Sequence, residues 1–154
     1  MTRTRAPVRR TKAATGGLLG AAERLAQRPA TIAYLGNSIT RQRDGYRPHL
    51  HGLLIERFGQ PHRAINAGFG GVGSVASACT MDDMVVRHGP LLCFIETLTG
   101  DMGVGMHPDT GPALEGMVRK LAAIGASGCF LQVSSPGNNP DSTGFQILES
   151  TCLP

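Results

Sequence analysis

Thr31-Ile32-Ala33-Tyr34-Leu35-Gly36-Asn37-Ser38-Ile39-Thr40 is the stretch on which the reading of this chain turns. Its first five residues have the length and the β-branched and aromatic content of an interior strand. Gly36 allows a sharp turn, and beyond it the sequence becomes polar and charged through Arg41, Arg43 and Asp44. Ser38 is therefore expected at the carboxyl end of a buried strand, the edge where open α/β sheets collect ligands and catalytic groups. Asn37 and Ser38 are also favoured N-cap residues, so capping of the next helix explains the same pair.

Working outward, Leu18, Leu19, Ala22 and Leu25 give one apolar face to a helix over about 17–27, stopped by Arg28-Pro29. After the Ser38 turn, Tyr46, Leu50, Leu53, Leu54 and Phe58 recur at helical spacing, and Gly59 and Pro61 end that helix. A short strand over 63–66 leads into a glycine loop, Gly68 to Gly73, and a third helix is expected over about 74–88, with Asp82 and Asp83 on its solvated face. Leu91 to Ile95 is the most apolar strand; it ends in Glu96 and a loop from Thr97 to Thr110. Pro112 suits the first turn of a fourth helix whose apolar face is Leu114, Met117, Val118 and Leu121, closed by Gly125. Residues 129–133 form a fourth strand, and from Ser134 to Gly144 the sequence is turn-forming, with only 145–148 able to make another strand.

The expected organisation is a basic tail over 1–16, one α/β domain over 17–133 and an irregular segment over 134–154. Strands alternating with helices imply a parallel sheet with right-handed crossovers and helices on both faces. The turns after the first three strands then leave the same edge, so Ser38, the Gly68–Gly73 loop and Glu96–Asp101 converge.

Composition narrows the function. A chain of 154 residues with 41% hydrophobic content and 21 glycines is one domain's worth of globular sequence. The net charge of +4 belongs to the first 30 residues, which hold seven Arg or Lys against Glu23 alone. The remainder is slightly acidic, which argues against a nucleic-acid face. Cys79, Cys93, Cys129 and Cys152 show no C-x-x-C spacing and read as reduced thiols. No apolar run is long enough to span a membrane, and the Arg9-Arg10 pair is followed by too weakly apolar a segment for an export signal. A cytoplasmic location is expected. His49 and His51, two apart on a helix, point to different faces and make no metal pair.

Three blocks now carry a family resemblance. Gly36-Asn37-Ser38 resembles the Gly-Asp-Ser block of SGNH (GDSL-type) hydrolases. Asn66 to Gly71 is similar to that family's glycine block, and Phe94 to Asp101 to its third block, an apolar strand ending in Asn-Asp. Order and strand-end placement agree over roughly 18–133. The resemblance implies a flavodoxin-like three-layer α/β/α sandwich, C-terminally incomplete here, and hydrolysis of acyl or acetyl esters, including those on carbohydrates. No cofactor is implied; the partner is a small-molecule or carbohydrate ester. By this resemblance Ser38 is the nucleophile and its N–H an oxyanion donor, and Gly71 supplies a second N–H.

Two departures stand out. Gly100 occupies the position of the family's oxyanion-hole asparagine, beside Asp101, so Gly100→Asn is expected to raise the rate of a protein that has its base. The family's Asp-x-x-His has no counterpart after Val133, since Asp141 is followed by Ser-Thr-Gly. A truncated or frame-altered C-terminus is the favoured account. His107 as a surrogate base, or a descendant that binds carbohydrate without catalysis, are the others. A rival reading is a nucleotide-binding module, because Gly68, Gly70 and Gly73 match the dinucleotide fingerprint and Glu96 sits where a ribose-binding acid would.

Overall fold

In the computed structural model, which describes residues 17–131, four strands pair in parallel: β1 (Thr31–Gly36), β2 (Arg63–Gly68), β3 (Leu92–Glu96) and β4 (Ser127–Phe130). Their order is β2-β1-β3-β4, with Tyr34 level with Asn66 on one side and Phe94 on the other. The connections carry α1 (Leu18–Gln27), α2 (Ser38–Arg41), α3 (Tyr46–Phe58), α4 (Ser74–Met84), α5 (Leu98–Val104) and α6 (Thr110–Ala123), with a 3-10 turn at Val86–His88. The expected tail 1–16, the expected segment 134–154, and Gln132 and Val133 lie outside the described residues.

Alternation along the strands divides the core in two. Ile32, Tyr34, Leu92, Phe94 and Cys129 pack with Ala21 and Leu25 of α1 and with Leu50, Leu54 and Phe58 of α3. Ala33, Leu35, Cys93 and Ile95 face the other way, onto Met81 of α4 and Met117 and Leu121 of α6. The molecule is thus an α/β/α sandwich, and β3 is buried at every position because both faces are covered. Tyr34 stacks on Phe94 with ring centroids 5.4 Å apart.

Several expectations shift. The buried stripe of α1 is Ala21 and Leu25, while Leu19, about 100° round the helix from Leu18, is 84% exposed. Leu53 is likewise exposed on α3. Strand β2 runs two residues further than expected, to Gly68, and β4 begins earlier, at Ser127. The expected third helix breaks at Met84 into the 3-10 turn. The stretch after β3 is not a loop: α5 forms despite Gly100 and Gly103, residues of poor helix propensity, because tertiary contacts described below hold it. Cys93 and Cys129 are buried, whereas Cys79 is exposed. No described helix is long and apolar enough to cross a membrane.

Candidate active site

Ser38 opens α2 directly beyond β1, and both readings of its turn hold together. Asn37 is the cap, its Oδ1 accepting the Ile39 N–H at 3.0 Å, which leaves Ser38 exposed as the first helical residue. An N–H in the first turn has no partner within its helix. The turn is seated tightly. A Cβ on Gly36 would collide with Thr40 Oγ1 and the Glu96 carbonyl, and one on Gly68 would collide with the Arg41 N and lie 2.7 Å from Arg41 Cα. The Asn37 N–H donates to the Glu96 carbonyl at 3.3 Å and the Phe69 N–H to the Gly36 carbonyl at 2.8 Å, so three strand ends are stitched together around Ser38.

Gly71 lies exposed in the second loop with φ +73°, the left-handed region. No atom lies within 4 Å of the place its Cβ would take, so backbone conformation and not crowding selects glycine there. Gly100 is the opposite case. A Cβ there would run into the Val72 carbonyl and approach Gly73 Cα to 3.1 Å, so an asparagine cannot be accommodated unless the Val72–Gly73 backbone moves. The expected gain from Gly100→Asn is corrected accordingly.

Asp101 is buried and joins the second loop to the third. Its Oδ1 accepts the Ser74 N–H at 2.8 Å and its Oδ2 accepts the Ser74 hydroxyl at 2.5 Å. The Ser74 oxygen in turn accepts the Thr97 hydroxyl at 2.8 Å. A carboxylate from α5 thereby caps α4, where the helix dipole favours negative charge. The same contact removes the dinucleotide reading. The helix N-terminus after Gly73, where a pyrophosphate would sit, is occupied by an anionic side chain, and Glu96 is fully buried, out of reach of a ribose.

His107 is exposed, and its Nδ1 accepts the Asp109 N–H at 3.1 Å. Its Nδ1 also lies 3.6 Å from Asp109 Oδ2, so the ring is engaged within its own loop, and no hydrogen bond joins it to Ser38 among the described residues. His49 is exposed, whereas His51 is engaged by the Tyr34 hydroxyl at 3.1 Å and the His62 carbonyl at 3.0 Å. Among the described residues no three His, Cys, Asp or Glu side chains gather as a metal site would require.

Sequence reasoning named Glu96 as an edge residue and a ribose-binding acid, and did not foresee it as a buried group beneath the serine. Glu96, at the end of β3, accepts the Thr40 hydroxyl at 3.3 Å, and Thr40 Oγ1 accepts the Tyr46 hydroxyl at 2.9 Å. Burial pushes the Glu96 carboxyl above the usual range, opposed by the hydroxyls of Thr99 and Thr40. Burial also pushes the Tyr46 phenol up to about 12. The available signal was an acid placed directly after the most apolar strand.

No protein-family profile and no curated protein matches the sequence. Solved structures do. The chain is similar to TesA at 26% identity and a TM-score of 0.61, over 72% of this chain and 64% of that one. It is similar to CEX, a two-domain esterase active on acetylated mannans, at 23% identity and a TM-score of 0.64, over 73% and 32%. AlinE4, an SGNH-hydrolase family esterase, matches at 20% identity and a TM-score of 0.59, over 66% and 58%. The chain therefore spans less than two thirds of the length of each of these structures.

Proposed function

We propose that this chain, whose α/β fold is that of the SGNH hydrolases, is a serine ester hydrolase module. Ser38 Oγ attacks the ester carbonyl, the N–H groups of Ser38 and Gly71 receive the oxyanion, the ester C–O bond breaks and the alcohol leaves with a proton, and water then cleaves the acyl-serine bond to give the acid and free Ser38. The observation that carries this reading is the exposed Ser38 seated by Gly36 and Gly68 on the strand ends, on the same edge as the Gly71 loop. Acyl and acetyl esters are the proposed substrates. Carbohydrate acetyl esters are included, since CEX is active on acetylated mannans.

The reaction needs a group to take the Ser38 proton, and none of the described residues is arranged to do so. His107 is engaged with Asp109 and makes no hydrogen bond to Ser38, and the sequence holds no Asp-x-x-His after Val133. Hydrolysis by this chain should accordingly be slow, resting on the oxyanion donors, and adding a strand followed by an Asp-x-x-His segment should raise it sharply. The test is 4-nitrophenyl acetate turnover together with labelling by an alkyl fluorophosphonate, read as intact mass. Ser38→Ala should abolish the adduct and the gain from the added segment; an adduct that survives Ser38→Ala ends the proposal. One observation favours a second reading, a carbohydrate-binding domain without catalysis: the backbone at Val72–Gly73 leaves no room for a third oxyanion side chain at Gly100. Sugar binding that persists in Ser38→Ala, with no turnover in either form of the chain, would select it.

A further inference from the structure

Ser38 makes no side-chain hydrogen bond among the described residues, so its position is set by its neighbours on either side. Both lead to Glu96. On one side the Asn37 N–H donates to the Glu96 carbonyl at 3.3 Å. On the other, Thr40, fully buried two residues beyond Ser38, donates its hydroxyl to Glu96 Oε2 at 3.3 Å. We infer that Glu96, acting through Thr40, is the positioning residue that fixes the Ser38 turn against the oxyanion donors.

The chemistry of the cluster supports this. A carboxyl group with no exposure and no cationic partner among the described residues is costly to keep in a core. A leucine of similar size would fill the space without that cost. What the acid supplies is direction. It accepts the Thr40 proton, which leaves the Thr40 oxygen to accept the Tyr46 hydroxyl at 2.9 Å, and each member of the chain orients the next. Arg47 closes the other end of α2, its Nε donating to the Thr40 carbonyl at 3.1 Å and its Nη2 to the Gln42 carbonyl at 3.2 Å. With Gly36 and Gly68 leaving no slack beneath, rotation of α2, which would move Ser38, is opposed at these contacts.

The inference rests on the reading of Ser38 as nucleophile, and the experiment separates the two. The full chain and its variants Glu96→Leu, Thr40→Val, Thr40→Ser and Ser38→Ala are compared by 4-nitrophenyl acetate kinetics and by amide hydrogen exchange at residues 37–41. Glu96→Leu and Thr40→Val should lower kcat roughly 10- to 100-fold, the scale of a displaced reacting group. KM should stay within about twofold, since ground-state binding is untouched. Exchange at 37–41 should quicken in both without a fall in melting temperature for Glu96→Leu, a separation that a merely structural acid would not give. Thr40→Ser, which keeps the hydroxyl, should recover most of both losses. Unchanged exchange at 37–41 in Glu96→Leu and Thr40→Val overturns the inference, as does a change in KM with kcat intact. If an alkyl fluorophosphonate adduct survives Ser38→Ala, the nucleophile reading falls, and exchange at 37–41 alone decides the positioning claim.

Discussion

At the amino edge of the sheet, the turns that lead into β2, β3 and β4 carry Gly59, Gly89 and Gly125, with φ of 64°, 55° and 69° and nothing within 4 Å of where a Cβ would stand. At the carboxyl edge Gly36, Gly68, Gly73 and Gly100 need no left-handed backbone, yet each would drive a Cβ into the backbone or a buried side chain of a neighbouring segment. One set of glycines bends the chain, and the other lets separate segments touch. The polar groups divide in the same way. Carboxylates bind the carboxyl edge, through Asp101 and Glu96, whereas imidazoles hold the amino side, where His62 Nδ1 accepts the Ala30 N–H at 3.3 Å and His51 bridges Tyr34 to the His62 carbonyl. Gly71 with its left-handed backbone apart, the edge that gathers the candidate site is built by fit between distant segments, and the other edge by local conformation.

The contrast is broken most readily at Asp101. Asp101→Ala strips two hydrogen bonds from Ser74 and leaves its N–H and hydroxyl buried, so urea denaturation should give a loss of about 3 kcal/mol. A loss below about 1 kcal/mol, the worth of an ordinary neutral bond, would mean that the loops are held by something else. The glycines give the next largest effect. Gly100→Ala should cost about 2 kcal/mol as an overpacked site, and Gly59→Ala about 1 kcal/mol for a left-handed residue with free space around it. The same denaturation measurement checks both, and equal losses would erase the distinction between the edges.

The smallest effect concerns pH, and there the two regions should respond with opposite sign. Burial, with His51 nearby, depresses the His62 pKa below its ordinary 6.5. Its Nδ1 already accepts an N–H, and its Nε2 has no partner among the described residues. As pH falls through about 6.5 the unfolded chain takes up that proton first, so His62 subtracts stability progressively until its lower folded pKa is passed. Glu96, raised above its ordinary 4.5, is protonated first in the folded state, so acidification through its folded pKa adds stability. Melting temperature followed from pH 7 to pH 4 should therefore decline less steeply in His62→Gln than in the parent chain, and more steeply in Glu96→Gln. Parallel curves for all three would show that neither group is perturbed by folding.

Much of the amino edge could be read directly from the sequence, because a helix that ends on Gly59 or Gly125 is a local event recorded in a few adjacent residues. Strands β1 and β3 were legible for a related reason: both their faces are covered, so they read as unbroken apolar runs. Placing Ser38 at a strand end required no tertiary knowledge either. The contacts around it did. That Gly100 leaves no room for a side chain depends on Val72, and that Asp101 is a cap depends on Ser74, a partner 27 residues away. Thr40 and Glu96 are 56 residues apart, and although an acid after the most apolar strand is unusual, nothing near Thr40 marks it as the partner. Helix α5 eluded periodicity because its glycines obscure the pattern and its stability comes from outside itself.

The 27- and 56-residue separations also bear on the order of folding. Each bond closes a long loop, and both segments must already be docked on the sheet before the hydrogen bonds can repay that closure. Parallel pairing of β1 with β2 and with β3 imposes the same delay. Helices α1, α3 and α6 can form early from local contacts, but the surroundings of Ser38 come into being only when the sheet is complete. The site is thus among the last parts of the molecule to exist during folding and among the first to vanish when any one crossover opens.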